Sequence, residues 1–222
     1  GSSEQVCDQR SKNARQQPTL SRARTQIPAA DLCRADRAGC DGADAGQCDP
    51  ARAAELSFAA ALAVAEVCDL ASGDPARTKI KWPNDVLFDG QKLAGILLES
   101  GSAAGGGLWL AVGIGMNLAA YPDDVERPAT SLAKAGIQLD RETALDGLAD
   151  AFERVRTDWL TQGFGPIRRA WLDRAARLGE TITARLPGEE LTGTFRSIDE
   201  MGYLQLQTTT GLRGIAAAEV FF

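Results

Sequence analysis

Histidine is absent from the 222-residue sequence. Its absence excludes Ser-His-Asp and Cys-His catalysis and imidazole metal ligands, so any chemistry must use lysine, arginine, carboxylates, amides and backbone groups. Apolar runs of about 18 residues or more are also missing, and no apolar leader opens the chain. We therefore expect neither a membrane span nor a secretory signal, and a cytoplasmic location is the default expectation.

Cysteine is sparse, and its spacing does not favour a metal site. None of the intervals between the five cysteines gives a Cys-x-x-Cys pair, and an odd count argues against a disulfide framework. We therefore predict no metal bound by cysteine. The formal net charge of −6 also argues against a general nucleic-acid binder, which usually presents a basic face.

Large apolar side chains are scarce in residues 1–48. This segment has no Phe, Trp or Tyr, and its only large aliphatic residues are Val6, Leu20, Ile27 and Leu32. Neither helical nor strand periodicity can be built from four such residues, and so little apolar area cannot offset the entropy of the chain. We expect this atypical segment to be disordered or loosely packed.

Helical signals begin immediately after this segment. Asp49 is a good N-cap and Pro50 suits a first helical position, so an Ala-rich packing helix is predicted over residues 51–70. A short helix is predicted over 129–135, and Asp140 caps a longer amphipathic helix. A further helix is predicted to run to Gly179.

Residues 79–99 contain the signal for a β-hairpin. Polar and apolar residues alternate over 78–82, which predicts a half-buried strand, and Pro83 ends it because proline has no N–H to donate. Asp89-Gly90 is a two-residue hairpin turn of type I′, and residues 93–98 form the returning strand. This pairing places three polar side chains near strand ends, where a rigid sheet can direct them at one ligand: Asn84, Asp85 and Lys92.

A buried strand is predicted over residues 108–117. Gly113 and Gly115 lie two residues apart and therefore on one face, where a flat ligand or another backbone can approach closely. A dinucleotide-binding fingerprint is not indicated, because the third glycine and the following helix are missing. A close sheet-on-helix contact is an equally good interpretation of these two glycines.

The pattern changes to short strands from residue 180 onward. Four strands separated by turn residues indicate a small antiparallel barrel joined through Gly179, and the strands cover residues 181–186, 191–198, 203–208 and 212–216. The order of elements along the chain predicts an α+β fold with this barrel at its end.

Two motifs in the hairpin resemble the central signature of the biotin protein ligases. They are Lys81-Trp82-Pro83-Asn84-Asp85 and Gln91-Lys92-Leu93-Ala94-Gly95-Ile96-Leu97-Leu98-Glu99. The resemblance continues through Val112-Gly113-Ile114-Gly115-Met116-Asn117, Ala129-Thr130-Ser131-Leu132 and the terminal barrel. It implies a mixed sheet of the class II synthetase type packed with helices, forming a catalytic domain over 49–178, and an SH3-like barrel domain over 179–222.

The reaction implied by the resemblance has two steps. The carboxylate of biotin attacks the α-phosphate of ATP to give biotinyl-5′-AMP and pyrophosphate. A lysine of a biotin carboxyl carrier domain, as found in biotin-dependent carboxylases, then attacks the mixed anhydride. The implied cosubstrate and cofactor are ATP and Mg²⁺, and the resemblance also implies a homodimer. DNA binding is not indicated, because no helix-turn-helix precedes the catalytic region.

Site residues are carried over from the resemblance by motif position. Lys92 matches the catalytic lysine, which also contacts biotin, and Asp85 matches an aspartate that orients or deprotonates the acceptor amine or helps to hold Mg²⁺. Gly95 is assigned to biotin. Residues assigned to the adenylate are Asn84, Asn117, Gly113 and Gly115.

Residues 1–48 depart from the family pattern. Members carry a Ser-Thr-Asn stretch and then a Gly-Arg-Gly-Arg-x-Gly-Arg loop that contacts biotin and the phosphates, and neither occurs here. One hypothesis is an altered reading frame, because family-like sequence begins abruptly near Cys48. The missing loop favours the alternative of a non-catalytic relative that binds biotin or adenylate, whereas the complete 81–99 signature favours the enzyme. A lipoate or octanoate transferase of related fold is a weaker third interpretation.

Overall fold

The computed structural model describes residues 21–28, 50–102, 108–122 and 128–222. Its first sheet has five strands in the order β1-β5-β4-β3-β2. Neighbouring strands pair antiparallel, and two isolated bridges, Ile80 to Ala175 and Lys92 to Ala129, are parallel. The strands are β1 (Ser21–Pro28), β2 (Thr78–Lys81), β3 (Asp85–Phe88), β4 (Gln91–Ser102) and β5 (Leu108–Met116). This mixed sheet packed with helices confirms the predicted fold class.

Helix α1 (Pro50–Ser72) covers one face of this sheet, as the Ala-rich pattern predicts. Small side chains such as Ala60 and Ala63 are completely buried, so the helix lies close to the strands. Large apolar residues of the sheet, among them Ile80 and Phe88, fill the space between them and are also completely buried. Two further helices complete this layer: α2 (Arg141–Gln162) and α3 (Phe164–Asp173). None of the helices in the described residues covers the opposite face of this sheet.

Cys68 is a free thiol buried in α1. Burial raises its pKa to about 12, so it remains a protonated, unreactive packing residue at neutral pH. The other four cysteines lie outside the described residues. Within the described ranges, no three His, Cys, Asp or Glu side chains cluster in a way that holds a metal. Of the helices in this same part of the chain, none combines the length and apolarity needed to cross a bilayer.

The turn between β3 and β4 has the predicted geometry. Asp89 and Gly90 both have positive φ, at 49° and 76°, which is the requirement of a type I′ turn. Arg77 holds the turn through an ion pair with Asp89 at 2.6 Å. The hydrogen bond from the Arg77 guanidinium keeps the pKa of the Asp89 carboxyl below its ordinary value. The register of the hairpin is therefore fixed at its tip.

The second sheet is antiparallel and has five strands in the order β10-β6-β7-β8-β9. The predicted four strands are present, and a fifth, β10, was missed because it is only three residues long. This sheet is the SH3-like element. Its strands are β6 (Thr181–Leu186), β7 (Glu189–Ile198), β8 (Leu204–Thr208), β9 (Gly211–Ile215) and β10 (Glu219–Phe221).

Aromatic side chains join the second sheet to the first. Phe58 of α1 meets Trp171 edge to face at 5.5 Å between ring centroids, and Trp171 meets Phe195 of β7 at 6.5 Å. Trp82 donates its indole N–H to the carbonyl of Gly202 at 3.0 Å, which ties the end of β2 to the second sheet. The two sheets therefore share one continuous apolar core.

Ser21–Pro28 form a strand, although residues 1–48 show no strand periodicity and were expected to be disordered or loosely packed. This stretch pairs with β5 along its full length, from Ser21 opposite Met116 to Pro28 opposite Trp109. A ladder at the edge of a sheet is formed by backbone N–H and C=O groups, so it does not require the apolar alternation that the segment lacks. The expected disorder of the rest of 1–48 lies outside the described residues.

Two helix predictions also need correction. Residues 129–135 form turns, because Thr130 donates its N–H to the carbonyl of Lys92 at 3.0 Å and the segment follows the strand ends. Helix α3 ends at Asp173, before the predicted Gly179. Ile80 of β2 donates to the carbonyl of Arg174 at 2.8 Å, so the chain leaves the helix to pair with the sheet.

We predict that Gly202→Ala destabilises the protein by about 2–4 kcal/mol. A Cβ at Gly202 would lie 2.8 Å from the ring of Phe58, and its φ of +78° is unfavourable for alanine. Gly188→Ala is the matched control, because φ is +90° there and nothing lies within 4 Å. It should cost only the backbone term, about 1–2 kcal/mol. Urea unfolding measures both, and equal losses would show that the Phe58 contact contributes nothing.

Candidate active site

A row of four residues crosses the uncovered face of the first sheet. Lys81 of β2 pairs with Asp85 of β3, Asp85 pairs with Gly95 of β4, and Gly95 pairs with Gly115 of β5. Directly opposed residues of antiparallel strands project to the same face, so these four form one cross-strand row. Gly113 lies two residues from Gly115, opposite Leu97. The two glycines of the row, Gly95 and Gly115, leave its floor without side chains.

A β-bulge brings Lys92 to the same face as Asp85. Leu87 pairs with Lys92 and Val86 pairs with Ala94, so Leu93 is an extra residue on β4. Lys92 and Gly95 are three residues apart, and a regular strand would send them to opposite faces. The extra residue reverses this alternation. The lysine of the motif therefore shares the face on which the cross-strand row lies.

Lys92 and Asp85 form an ion pair with 2.5 Å between Nζ and Oδ1. The Asp85 side chain is 13% exposed and that of Lys92 is 44% exposed, so the pair opens to the cavity from its lysine side. A Cβ on Gly95 would lie 3.5 Å from the Lys92 Nζ, which is an ordinary van der Waals distance, so the ammonium group lies directly over this glycine. A half-exposed ammonium can exchange its carboxylate for an anionic ligand at small cost.

The two asparagines of the motifs hold the edges of the site. Asn84 donates from its side-chain Nδ2 to the carbonyl of Ile96 at 2.7 Å, and its backbone carbonyl accepts the Ile96 N–H at 2.9 Å. Asn117 is buried and donates from Nδ2 to the carbonyl of Thr130 at 2.9 Å. These bonds fix the β2–β3 corner and the end of β5. Both residues line the cavity, with their amide nitrogens already bonded to the protein.

A cavity of about 680 Å³ lies over the cross-strand row. This volume is typical of a site for a small molecule. All seven residues singled out in the sequence line it: Asn84, Asp85, Lys92, Gly95, Gly113, Gly115 and Asn117. The structure therefore brings together every predicted site residue.

Sequence reasoning missed several residues that line the same cavity. Ala218, Glu219 and Val220 come from the β10 end of the second sheet, which could not be placed because that strand was not predicted. Lys81 also lines the cavity; it belongs to the first motif but was not predicted as a site residue. The alternation over 78–82 was the available signal, because it sends Lys81 to the face opposite Ile80.

Carboxylates in the cavity lining allow only a limited role for Mg²⁺. The described lining has two, Asp85 and Glu219, and the Asp85 Oδ1 is already paired with Lys92. Mg²⁺ is commonly held by one or two carboxylates together with substrate phosphates. The donor set therefore fits a metal that enters with a nucleotide, and it does not form a complete protein cage.

The fold, a sheet packed with helices and followed by a small antiparallel sheet, is shared with solved structures of biotin protein ligases. Two family models match the sequence. The model of the biotin/lipoate A/B protein ligase family matches residues 41–117, and that of the biotin protein ligase C-terminal domain matches residues 178–222. A biotin–[acetyl-CoA-carboxylase] ligase of Paracoccus denitrificans is 50% identical over 176 residues, which cover 77% of this chain and 73% of the relative. The chain belongs to the biotin protein ligase family.

Two further relatives extend the comparison. The bifunctional ligase/repressor of Bacillus subtilis is 34% identical over 75% of this chain, and the match covers 52% of that protein. A solved structure of the biotin protein ligase of Aquifex aeolicus, in complex with biotin and ATP, has a TM-score of 0.65 at 25% identity. It covers 76% of this chain and 70% of that one. This neighbour confirms the fold.

Removing the Lys92–Asp85 pair should leave stability almost unchanged. We expect Asp85→Asn and Lys92→Met each to lower the free energy of unfolding by less than about 1 kcal/mol, because the lysine is 44% exposed and an ion pair that opens to a cavity at one end contributes little. Asn117→Ala should cost about 1–3 kcal/mol, since it deprives a buried carbonyl of its donor. Urea unfolding measures all three variants. A larger loss for Lys92→Met than for Asn117→Ala would contradict this division between ligand-directed and structural residues.

Proposed function

We propose that this protein is a biotin protein ligase that uses ATP to activate biotin and transfers it to a lysine of a biotin carboxyl carrier domain. The observation that carries the proposal is the Lys92–Asp85 pair, directed into a cavity whose floor is made of glycine. The name of the Paracoccus relative supports the acceptor class, the carrier domain of a biotin-dependent carboxylase.

In the first step a carboxylate oxygen of biotin bonds to the α-phosphorus of ATP. The bond from that phosphorus to the bridging oxygen breaks, and pyrophosphate leaves. Two anions must approach each other, and negative charge accumulates on the phosphate oxygens. Lys92 is the cation for this step because its ammonium already lies on the uncovered face, next to the glycine floor. A fixed cation at such a position stabilises the transition state more than the separated substrates.

In the second step the amine of the acceptor lysine attacks the acyl carbon of biotinyl-5′-AMP. A C–N bond forms, the C–O bond to AMP breaks, and the amine must lose a proton. Asp85 is the group proposed to accept or orient this proton, because it is the carboxylate beside Lys92. Once Lys92 turns to the phosphate, the Asp85 oxygen that it held becomes available to the amine.

The remaining cavity residues are divided between the two substrates. Gly95 and Lys92 are proposed to meet biotin, while Gly113, Gly115, Asn84 and Asn117 surround the adenylate. The alternative role of Asp85 is to help to hold Mg²⁺, which is supplied with ATP, beside the phosphates. The role of this metal is to neutralise phosphate charge.

A non-catalytic relative that binds biotin or adenylate is the competing proposal. The missing Gly/Arg loop in residues 1–48 favours it. The enzymatic proposal is favoured because the 50% identical Paracoccus relative is named a ligase and because the Lys92–Asp85 geometry is complete. The two proposals differ in turnover, which makes them separable by one assay.

The assay combines the protein with biotin, MgATP and a carrier domain and follows the acceptor by mass spectrometry. We expect the acceptor to gain one biotinyl group, and Lys92→Ala to lower the rate by about 10²- to 10³-fold, because a preorganised charge is lost. Lys79→Ala is the control, since Lys79 is an exposed lysine on β2 outside the cavity lining.

Three results would weigh against the proposal. No gain of mass by the acceptor, with biotin and ATP still bound by calorimetry, would favour the non-catalytic relative. Unchanged turnover in Lys92→Ala would refute the assignment of the catalytic lysine. An equal loss in Lys79→Ala would show that the effect does not come from the cavity.

A further inference from the structure

We propose that Lys81 is a second cation of this site and that it contacts the phosphate groups of the nucleotide. This inference rests on the proposed function for the identity of the ligand, an adenosine triphosphate. It assigns a role to a residue that neither the ion pair nor the glycine floor explains.

The position of Lys81 follows from strand register. Lys81 is directly opposite Asp85 in the β2–β3 pair, so both side chains leave the same face with Cβ atoms about 5 Å apart. Asp85 also accepts Lys92 at 2.5 Å from the neighbouring strand β4. One carboxylate therefore lies between two lysines, each on a different strand, and all three residues line the cavity.

Burial shows that the lysine is held in this position. Lys81 is only 7% exposed, although lysine is almost never fully buried without compensating contacts. Its ammonium lies 4.9 Å from the ring centroid of Phe222, a cation–π distance. Arg177 lies over the same ring at 5.2 Å. These contacts hold the Lys81 ammonium in one place at the junction of the two sheets, beside the cavity.

The reaction places negative charge at this end of the row. Pyrophosphate leaves as the first step proceeds, and its charge grows at a distance from the biotin carboxylate that Lys92 contacts. The glycine floor at Gly95 and Gly115 lets a ligand lie along the cross-strand row and reach Asp85 and Lys81 at the end of it. The cations of the described cavity lining are Lys81 and Lys92. Lys81 is therefore the one suited to the leaving phosphates.

The same strand supplies a matched control. Lys79 lies two residues before Lys81 and therefore on the same face, opposite Leu87. It is exposed and is not part of the cavity lining. A change at Lys79 removes the same charge from the same strand and the same face, but not from the cavity.

The test measures binding of a non-hydrolysable ATP analogue, AMP and biotin to the full chain by calorimetry. We expect Lys81→Met to lower the affinity for the ATP analogue about tenfold, which corresponds to the loss of one charge-assisted contact. The affinity for AMP should fall less than the affinity for the ATP analogue, and the affinity for biotin should change by less than about twofold. Lys81→Arg should retain the affinity for the ATP analogue, and Lys79→Met should resemble the wild-type protein.

Several outcomes would overturn the proposal. Unchanged affinity for the ATP analogue in Lys81→Met is one. An equal loss for AMP, biotin and the ATP analogue is another, since it would indicate a purely structural role. If Lys81→Met does not fold, a crystal structure of the wild-type protein with the analogue decides: Nζ bonded to a phosphate oxygen supports the proposal, and Nζ turned away from every phosphate refutes it. Biotin transfer tests the proposed function separately, because these binding measurements do not depend on turnover.

Discussion

One extra residue in the β3–β4 pair, Leu93, is the constraint on which the site depends. In a regular hairpin, Lys92 would project to the face covered by α1, where an ammonium without a partner costs several kcal/mol. The bulge reverses the alternation and sends Lys92 to the uncovered face, within 2.5 Å of Asp85. Two backbone hydrogen bonds from outside the hairpin hold the bulge in place. Lys92 donates its N–H to the carbonyl of Pro128, and the backbone N–H of Asn117 donates to the carbonyl of Leu93. Ladder bonds lost at the bulge are thus replaced by bonds to the strand ends.

The two faces of the first sheet are specialised by residue size. Large apolar residues and the small alanines of α1 give one face a close-packed core, whereas glycines replace side chains at the centre of the other face. Stability and ligand access therefore come from different side chains of the same strands. This separation lets the Lys92–Asp85 pair remain partly exposed while the backbone that holds it is buried. The second sheet adds a wall to the open face through β10 and is held by the bond from Trp82 to Gly202.

The hairpin, α1 and most of the terminal sheet could be predicted from the sequence, because they depend on local periodicity and turn chemistry, and the motifs supplied seven of the residues at the cavity. Asp89-Gly90 fixes a two-residue turn by its backbone requirements alone, wherever it occurs. Strand β1 and the turns near residue 130 depend instead on backbone partners distant in sequence, which composition does not reveal. The contribution of β10 to the cavity was missed for the same reason. A strand of three residues is stabilised by the strand with which it pairs, here β6, and not by its own periodicity.

Asp85 lies between lysines of two neighbouring strands, Lys81 and Lys92, and so differs from the acid of an isolated salt bridge. A single exposed pair contributes little to stability, so stability alone does not account for placing Lys81 and Lys92 around one aspartate. The ion pair with Asp85 holds the Lys92 ammonium in one orientation, and a side chain ordered before binding loses less entropy when a ligand binds. In the proposed mechanism, the entering phosphates compete with Asp85 for the Lys92 ammonium, and the carboxylate is freed for the step in which an amine must lose a proton. On that proposal the same ion pair orders the cation for the first step and supplies the base for the second.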